Sequence, residues 1–167
     1  KNNINNIESL LSLQASSAKS AEVKTALQDT LSRVRSMRVL YEKLLISGDY
    51  QQVSMKEYIE SLIQSLIAVF PDKQKVTIEK NITDFNLGSQ KAVPVGIILN
   101  ELLTNVYKYA FIHRDSGIIS ITIDKTENIV TVAVYDNGAG FDERESSDTS
   151  PGFGLTLVKM LAEQLKG

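Results

Sequence analysis

Residues Asn100 to Phe111 read NELLTNVYKYAF, and the architecture depends on what this stretch forms. Placed at about 100° per residue from Val95 onward, it is an amphipathic helix. Val95, Leu99, Leu102, Val106 and Ala110 share one face, and Glu101, Asn105 and Lys108 gather on the opposite one. Pro94 suits the start of that helix, where its missing N–H has no partner to lose. An acid, an amide and a base in one stripe are either a solvated face with ordinary helix pairs or three polar groups aimed at a ligand. The flanking sequence bears on the choice.

Downstream, Ile119, Ile121 and Ile123 alternate with Ser120, Thr122 and Asp124, and Val130, Val132 and Val134 alternate with Thr131 and Ala133. These are two strands around a loop at 126–128. Asp136 continues the second alternation, so its carboxylate is directed to the apolar side of the sheet, where it needs donors. It opens DNGAGF (Asp136–Phe141), in which Gly138 and Gly140 let the backbone turn sharply and approach another molecule closely. Asn-Gly also makes plain turns, but a plain turn leaves the inward acid unexplained. An adenine ring, offering its amino group to Asp136 and lying against glycine backbone, accounts for both. The polar stretch from Asp142 to Ser150 leads to PGFGL (Pro151–Leu155), where Gly152 and Gly154 precede a last helix whose free N–H groups suit phosphate oxygens.

Upstream, Ser54 with Glu57 forms a capping box, and Val53 and Tyr58 stand at the staple positions of a helix expected to run to about Phe70, before Pro71. Val76, Ile78 and Ile82 then suggest a strand. The N-terminal third is helical. Ile4, Ile7 and Leu11 mark a short helix that stops at Ser16, Ser17 and Ser20, and Val23, Leu27, Val34, Met37, Tyr41 and Leu44 form a seam from Glu22 to about Ile46, widened by Leu31, Leu40 and Leu45. Gly48 suits a left-handed cap, and 48–53 reads as a linker. A hairpin this apolar either pairs with a second copy as a four-helix bundle or packs on the rest of its own chain, and the pairing is expected. The predicted fold class is α+β: a helical hairpin, 1–47, followed by an α/β sandwich, 54–167, with a mixed sheet and helices on one face.

Composition narrows the chemistry. A chain of 167 residues, 43% hydrophobic, can hold a core without staples. With 18 Lys+Arg against 20 Asp+Glu the formal charge is −2, which argues against a broad nucleic-acid or anionic-membrane surface. No cysteine is present, so thiolate chemistry and Cys-ligated metals are excluded, and the single histidine, His113, cannot build a multi-histidine metal site. His113 reads as a surface loop residue. No apolar run reaches the length of a membrane span, and a cytoplasmic location is expected, on its own or as part of something larger.

Taken together, NELLTNVYKYAF, DNGAGF and GFGL (Gly152–Leu155) resemble the N, G1 and G2 boxes of the ATPase superfamily shared by DNA gyrase, heat-shock chaperones, mismatch-repair ATPases and sensor histidine kinases. KNNINNIESLLSLQ (1–14) is similar to the segment just after the phosphoacceptor histidine in kinases whose dimerisation domain is of the second, HWE-related type. The HWE subclass proper has a histidine in its N box and a later Trp-x-Glu, whereas this chain has Asn100-Glu101 and no tryptophan, so it looks like the sister class.

The resemblance implies Mg²⁺ and ATP as cofactors. It places Mg²⁺ on Asn105, with Glu101 assisting the metal or the transfer step, and a phosphate on Lys108. It sets Tyr109 beside the adenine, Asp136 on its amino group, and Gly138 and Gly140 around the pocket. Gly152, Gly154 and Leu155 would hinge and close a lid, 142–151, disordered without nucleotide. It further implies a homodimer through the hairpin and a response-regulator receiver domain as partner, selected by exposed hairpin residues such as Arg33 and Arg38. The phosphoacceptor would fall about three residues before Lys1, and a closing strand would follow Gly167. The alternative within the same fold is an ATP-gated interaction module or an anti-sigma-factor-like serine kinase.

Overall fold

The computed structural model describes residues 2–47, 51–68, 75–112, 114–140 and 153–165. Helices α1 (Asn2–Ser17) and α2 (Ala21–Ser47) form the hairpin, separated where the serines cluster. Strand β1 (Gln52–Ser54) leads into α3 (Met55–Ile67). Strands β2 (Lys75–Ile82) and β3 (Asn86–Gly88) lead into α4 (Ser89–Asn105), which a π-helical turn, Val106–Ala110, prolongs. The hairpin β4 (Ser116–Thr126) and β5 (Ile129–Asp136) follows, then α5 (Phe153–Gln164).

The main sheet has the order β2-β4-β5, with β2 parallel to β4 and β4 antiparallel to β5. It is therefore mixed, as expected from the order of elements. Ile119, Ile121 and Ile123 of β4 all point inward and are buried with Tyr58, Ile59, Leu62 and Ile63 of α3, Leu99 and Leu103 of α4, and Phe111. Fully burying an isoleucine or leucine contributes about 1.5–3 kcal/mol, so this cluster is the main source of the fold's stability. A second ladder pairs β1 with β3, Val53 opposite Leu87. It sets the start of two helices, because α3 begins directly after β1 and α4 directly after β3.

Ser54 caps α3 as the capping box predicts, its hydroxyl accepting from the Glu57 N–H at 3.2 Å, and the staple residues Val53 and Tyr58 are both buried. Three expectations are corrected. Gln52 and Val53, read as linker, are strand, because β3 offers them a ladder. Helix α4 starts at Ser89, not at Pro94: the Ser89 N–H is bonded to Gln51 O at 2.9 Å, which turns the chain into the helix five residues early and leaves Pro94 buried inside it. The third concerns α2. Val23 and Tyr41, placed on its seam, are 51% and 53% exposed, whereas Leu31, Val39, Leu40 and Leu44 are buried, the last three in one core with α3 and α4. Within the chain α2 thus packs Val39, Leu40 and Leu44 on the rest of the molecule and leaves Val23 and Tyr41 at the surface. Gly48, Phe70 and Pro71 lie outside the described residues, and among those described no helix is long and apolar enough to cross a membrane.

Candidate functional site

Asp136 ends β5 in the same phase as Val130, Val132 and Val134, which face the core side, and is half-buried. Its Oδ1 accepts from the Gly138 N–H at 2.9 Å, so the turn itself supplies a donor. The turn lies against the end of the π-helical segment: Ala139 N donates to Ala110 O at 2.9 Å, and a Cβ on Gly138 would fall 2.6 Å from Ala110 Cβ and 2.7 Å from Asp136 Oδ1. Only glycine fits. Gly140 has φ +79°, the left-handed region glycine favours, with open space beside it. Asn137 anchors the far side, accepting from Ile118 N–H at 2.8 Å through Oδ1 and donating its own N–H to Ile118 O at 3.2 Å.

The polar stripe of α4 is not a solvated face. Glu101 is 5% exposed and receives a bidentate pair from Arg33 of α2, Nε to Oε1 at 2.9 Å and Nη2 to Oε2 at 2.8 Å. Beside it Ser32 donates to Asn100 Oδ1 at 2.9 Å. Farther along, Lys108 pairs with Asp29 of α2. The stripe is covered because α2 carries the matching charges. Lys108, expected at a phosphate, is thus turned to Asp29, and Arg33, expected on the hairpin surface, is 14% exposed through its side chain. Arg38, its companion in that expectation, is partly buried between Glu8 and Glu42 at 2.8 and 3.0 Å, contacts that raise its already high pKa.

Helix α5 closes on the same carboxylate. A Cβ on Gly154 would lie 2.7 Å from Glu101 Oε2 and 4.0 Å from Asn105 Nδ2, and the Arg33 guanidinium stacks 5.0 Å from the Phe153 ring centroid. Glu101, Asn105 and Gly154 are thereby brought together. Asp136, Gly138 and Gly140 form a second group, joined to the first through the π-helical turn that carries Lys108 and Tyr109. Tyr109 is 63% exposed, and Leu155 is half-buried in the first turn of α5. Gly152, residues 142–151 and His113 lie outside the described residues.

Among the described residues no cluster of three or more His, Cys, Asp or Glu could hold a metal by itself. The amide oxygen of Asn105 and the Glu101 carboxylate are hard donors that suit Mg²⁺, an ion held by one or two protein groups plus phosphate and water. Sequence reading missed Arg33 and Asp29 as members of the site. Their spacing of four residues and opposite charge looks like an ordinary pair within one helix, and nothing local shows that both turn to α4.

A mixed sheet under α3 and α4, with a glycine turn at the end of one strand and a polar helix beside it, defines a kinase-type ATPase domain behind a helical hairpin. The comparisons agree with it. Residues 1–70 match the histidine kinase family and 75–166 match the histidine kinase-like ATPase domain, an assignment that implies ATP binding. The chain belongs to the histidine kinase family. It is 28% identical over 163 residues to the sensor histidine kinase PdtaS of Mycobacterium tuberculosis, covering 96% of this chain and 32% of that protein. With the blue-light-activated histidine kinase 2 of Erythrobacter litoralis it shares 23% identity over 171 residues, covering 99% of this chain and 48% of that one. The chain thus spans about a third of the first relative's length and about half of the second's. Among solved structures, the histidine kinase domain of an Erythrobacter litoralis blue-light activated histidine kinase superposes with a TM-score of 0.75 at 18% identity, over 97% of this chain and 86% of that one. The fold is that of the histidine kinases.

Proposed function

We propose that this chain is the kinase core of a two-component sensor, binding Mg·ATP and transferring the γ-phosphoryl group to a histidine upstream of Lys1 for relay to a response-regulator aspartate. The observation that carries the reading is Asp136, an inward carboxylate held at the mouth of a turn that only glycine can make against Ala110. In this reading it accepts from the adenine amino group, with Gly138 and Gly140 as the floor and Tyr109 at the border. Asn105 and Glu101 are the residues that would hold Mg²⁺, which neutralises charge on the transferring phosphoryl group, while Lys108 meets a phosphate. Gly152, Gly154 and Leu155 would belong to the closing segment. The division into a hairpin at 1–47 and a catalytic domain at 54–167, joined by a short connection whose last residues enter β1, belongs to the same reading. So do a cytoplasmic setting and a homodimer formed through the hairpin, for which exposed Ile7, Leu10, Leu13, Val23 and Tyr41 supply apolar surface.

The test is a calorimetric titration of ATP, with and without Mg²⁺, into the chain and its Asp136→Asn variant, followed by labelling of a chain extended upstream. Saturable binding that needs Asp136, then an acid-labile and base-stable phosphate on the longer chain, is the expected result. Tight binding without any label, or a serine on a partner labelled instead, would move the reading to the ATP-gated or serine-kinase alternative.

A further inference from the structure

Helix α2 meets α4 antiparallel, and the contact is written in matched charges. Going up α2, Asp29 faces Lys108, Ser32 faces Asn100 and Arg33 faces Glu101. Asp29 and Arg33 are four residues apart, so they leave α2 on one side, and their partners Glu101 and Lys108 lie on α4 and on the π-helical turn that prolongs it. The match extends to α5: Glu101 Oε2 lies 2.7 Å from where a Gly154 Cβ would be, beside the opening turn of a twelve-residue helix whose N–H groups favour an anion. The protein's own carboxylate therefore lies beside the first turn of α5. Arg33 completes the enclosure by stacking on Phe153.

We infer that α2 acts as an internal competitor of the nucleotide site, with Arg33 and Asp29 occupying Glu101 and Lys108 so that hairpin docking and Mg·ATP binding oppose each other. This rests on the reading of that site given above. Asp29 draws off one donor and much of the charge of Lys108, and the Arg33 fork takes a lone pair on each Glu101 oxygen, so neither group is free to meet a phosphate or a metal at full strength while α2 is docked. The two ligands of the site oppose one another, so each weakens the other by the same factor. Nucleotide should accordingly release α2, and release of α2 should favour nucleotide.

The test titrates ATP with Mg²⁺ into the 167-residue chain, into Arg33→Gln and into Asp29→Asn, with circular dichroism checking that each is folded. Lys108, the charge that Asp29→Asn leaves without its partner, keeps 25% of its side chain exposed, so water can replace Asp29 and the variant serves as a folded comparator if Arg33→Gln is unstable. Both variants are expected to bind ATP more tightly, by about fivefold or more, the low end of ordinary coupling between sites. Hydrogen exchange supplies the reciprocal readout, with faster exchange of α2 amides when Mg·ATP is added to the unmodified chain. Folded variants that bind with unchanged or weaker affinity, or α2 amides that stay as protected with nucleotide as without, overturn the competition while leaving the nucleotide site intact. Absence of binding in all three proteins overturns both. A silent unmodified chain beside a binding Asp29→Asn variant supports both.

Discussion

Replacing Gly138 by alanine tests the turn that the proposed reading sets beside the adenine most directly, because the expected damage follows from positions already described. The added methyl would press on Ala110, both its carbonyl oxygen and its Cβ, and on the Asp136 carboxylate at 2.7 Å. Two of these belong to backbone or to a side chain with no freedom, so the turn must lift away. Doing so loses the Ala139 N to Ala110 O hydrogen bond, worth about 1 kcal/mol net. Overpacking of this kind costs a further 1–3 kcal/mol or so, for a total near 3 kcal/mol. Gly140→Ala is the control. Its φ of +79° penalises a side chain by about 1–2 kcal/mol, with nothing among the described residues for the methyl to strike. In urea at neutral pH, Gly138→Ala should therefore lose the larger share of stability, a midpoint drop of about 1–2 M with an unchanged slope. Its ATP affinity should fall at least tenfold, since Asp136 moves with the turn. If Gly140→Ala proves the more damaging, or Gly138→Ala matches the unmodified chain, the close approach of the turn to Ala110 is refuted.

Gly96 lies against the Tyr58 ring well inside van der Waals contact of any added Cβ, so Gly96→Ala should cost about 2–3 kcal/mol by denaturation, and a neutral result would contradict the α3/α4 packing. Tyr58 itself is buried, which pushes its phenol pKa above the ordinary value of 10.0. Its proton is bound more tightly in the folded chain, so the stability it contributes is complete below about pH 10 and is lost as the pH rises above that, by up to about 1.4 kcal/mol per unit. Tyr107, shifted the same way by its burial, adds to the effect. Tyr58→Phe should flatten the alkaline loss of melting temperature, because it removes the titrating hydroxyl, and it gives up only a long contact with Ser36 O at 3.5 Å among the described residues. Thr104 carries a buried hydroxyl with no partner among the described residues, so Thr104→Val should be neutral or gain about 1 kcal/mol in melting experiments, and a loss would reveal a hidden partner.

Strand alternation and helix capping made most of the sheet and α3 legible, because both depend on neighbours within a few residues. Ile119, Ile121 and Ile123 could face only one core, and Asp136 inherited its direction from three valines. The start of α4 was not legible, since it depends on a bond from Ser89 to Gln51, residues far apart in sequence. Nor was the buried face of α2. Leucines lie on more than one side of that helix, and what selects between them is a set of partners on α4, 68 to 79 residues distant. For the same reason Glu101 and Lys108 read as free groups although both are paired. A site residue's type was visible in its motif, and its present partner was not.

The π-helical turn at Val106–Ala110 bears on how the site tolerates change in length. Its hydrogen bonds span five residues where an α-helix spans four, so the segment stores slack of about one residue between the Glu101 end and the Ala110 end. The two groups that the proposed reading joins, Glu101 with Asn105 and Asp136 with Gly138, are therefore separated by an adjustable spacer. Lys108 and Tyr109 ride on that spacer. A shift of the turn along the chain would rotate both side chains while leaving the glycine turn seated on Ala110 and the carboxylate seated on Gly154.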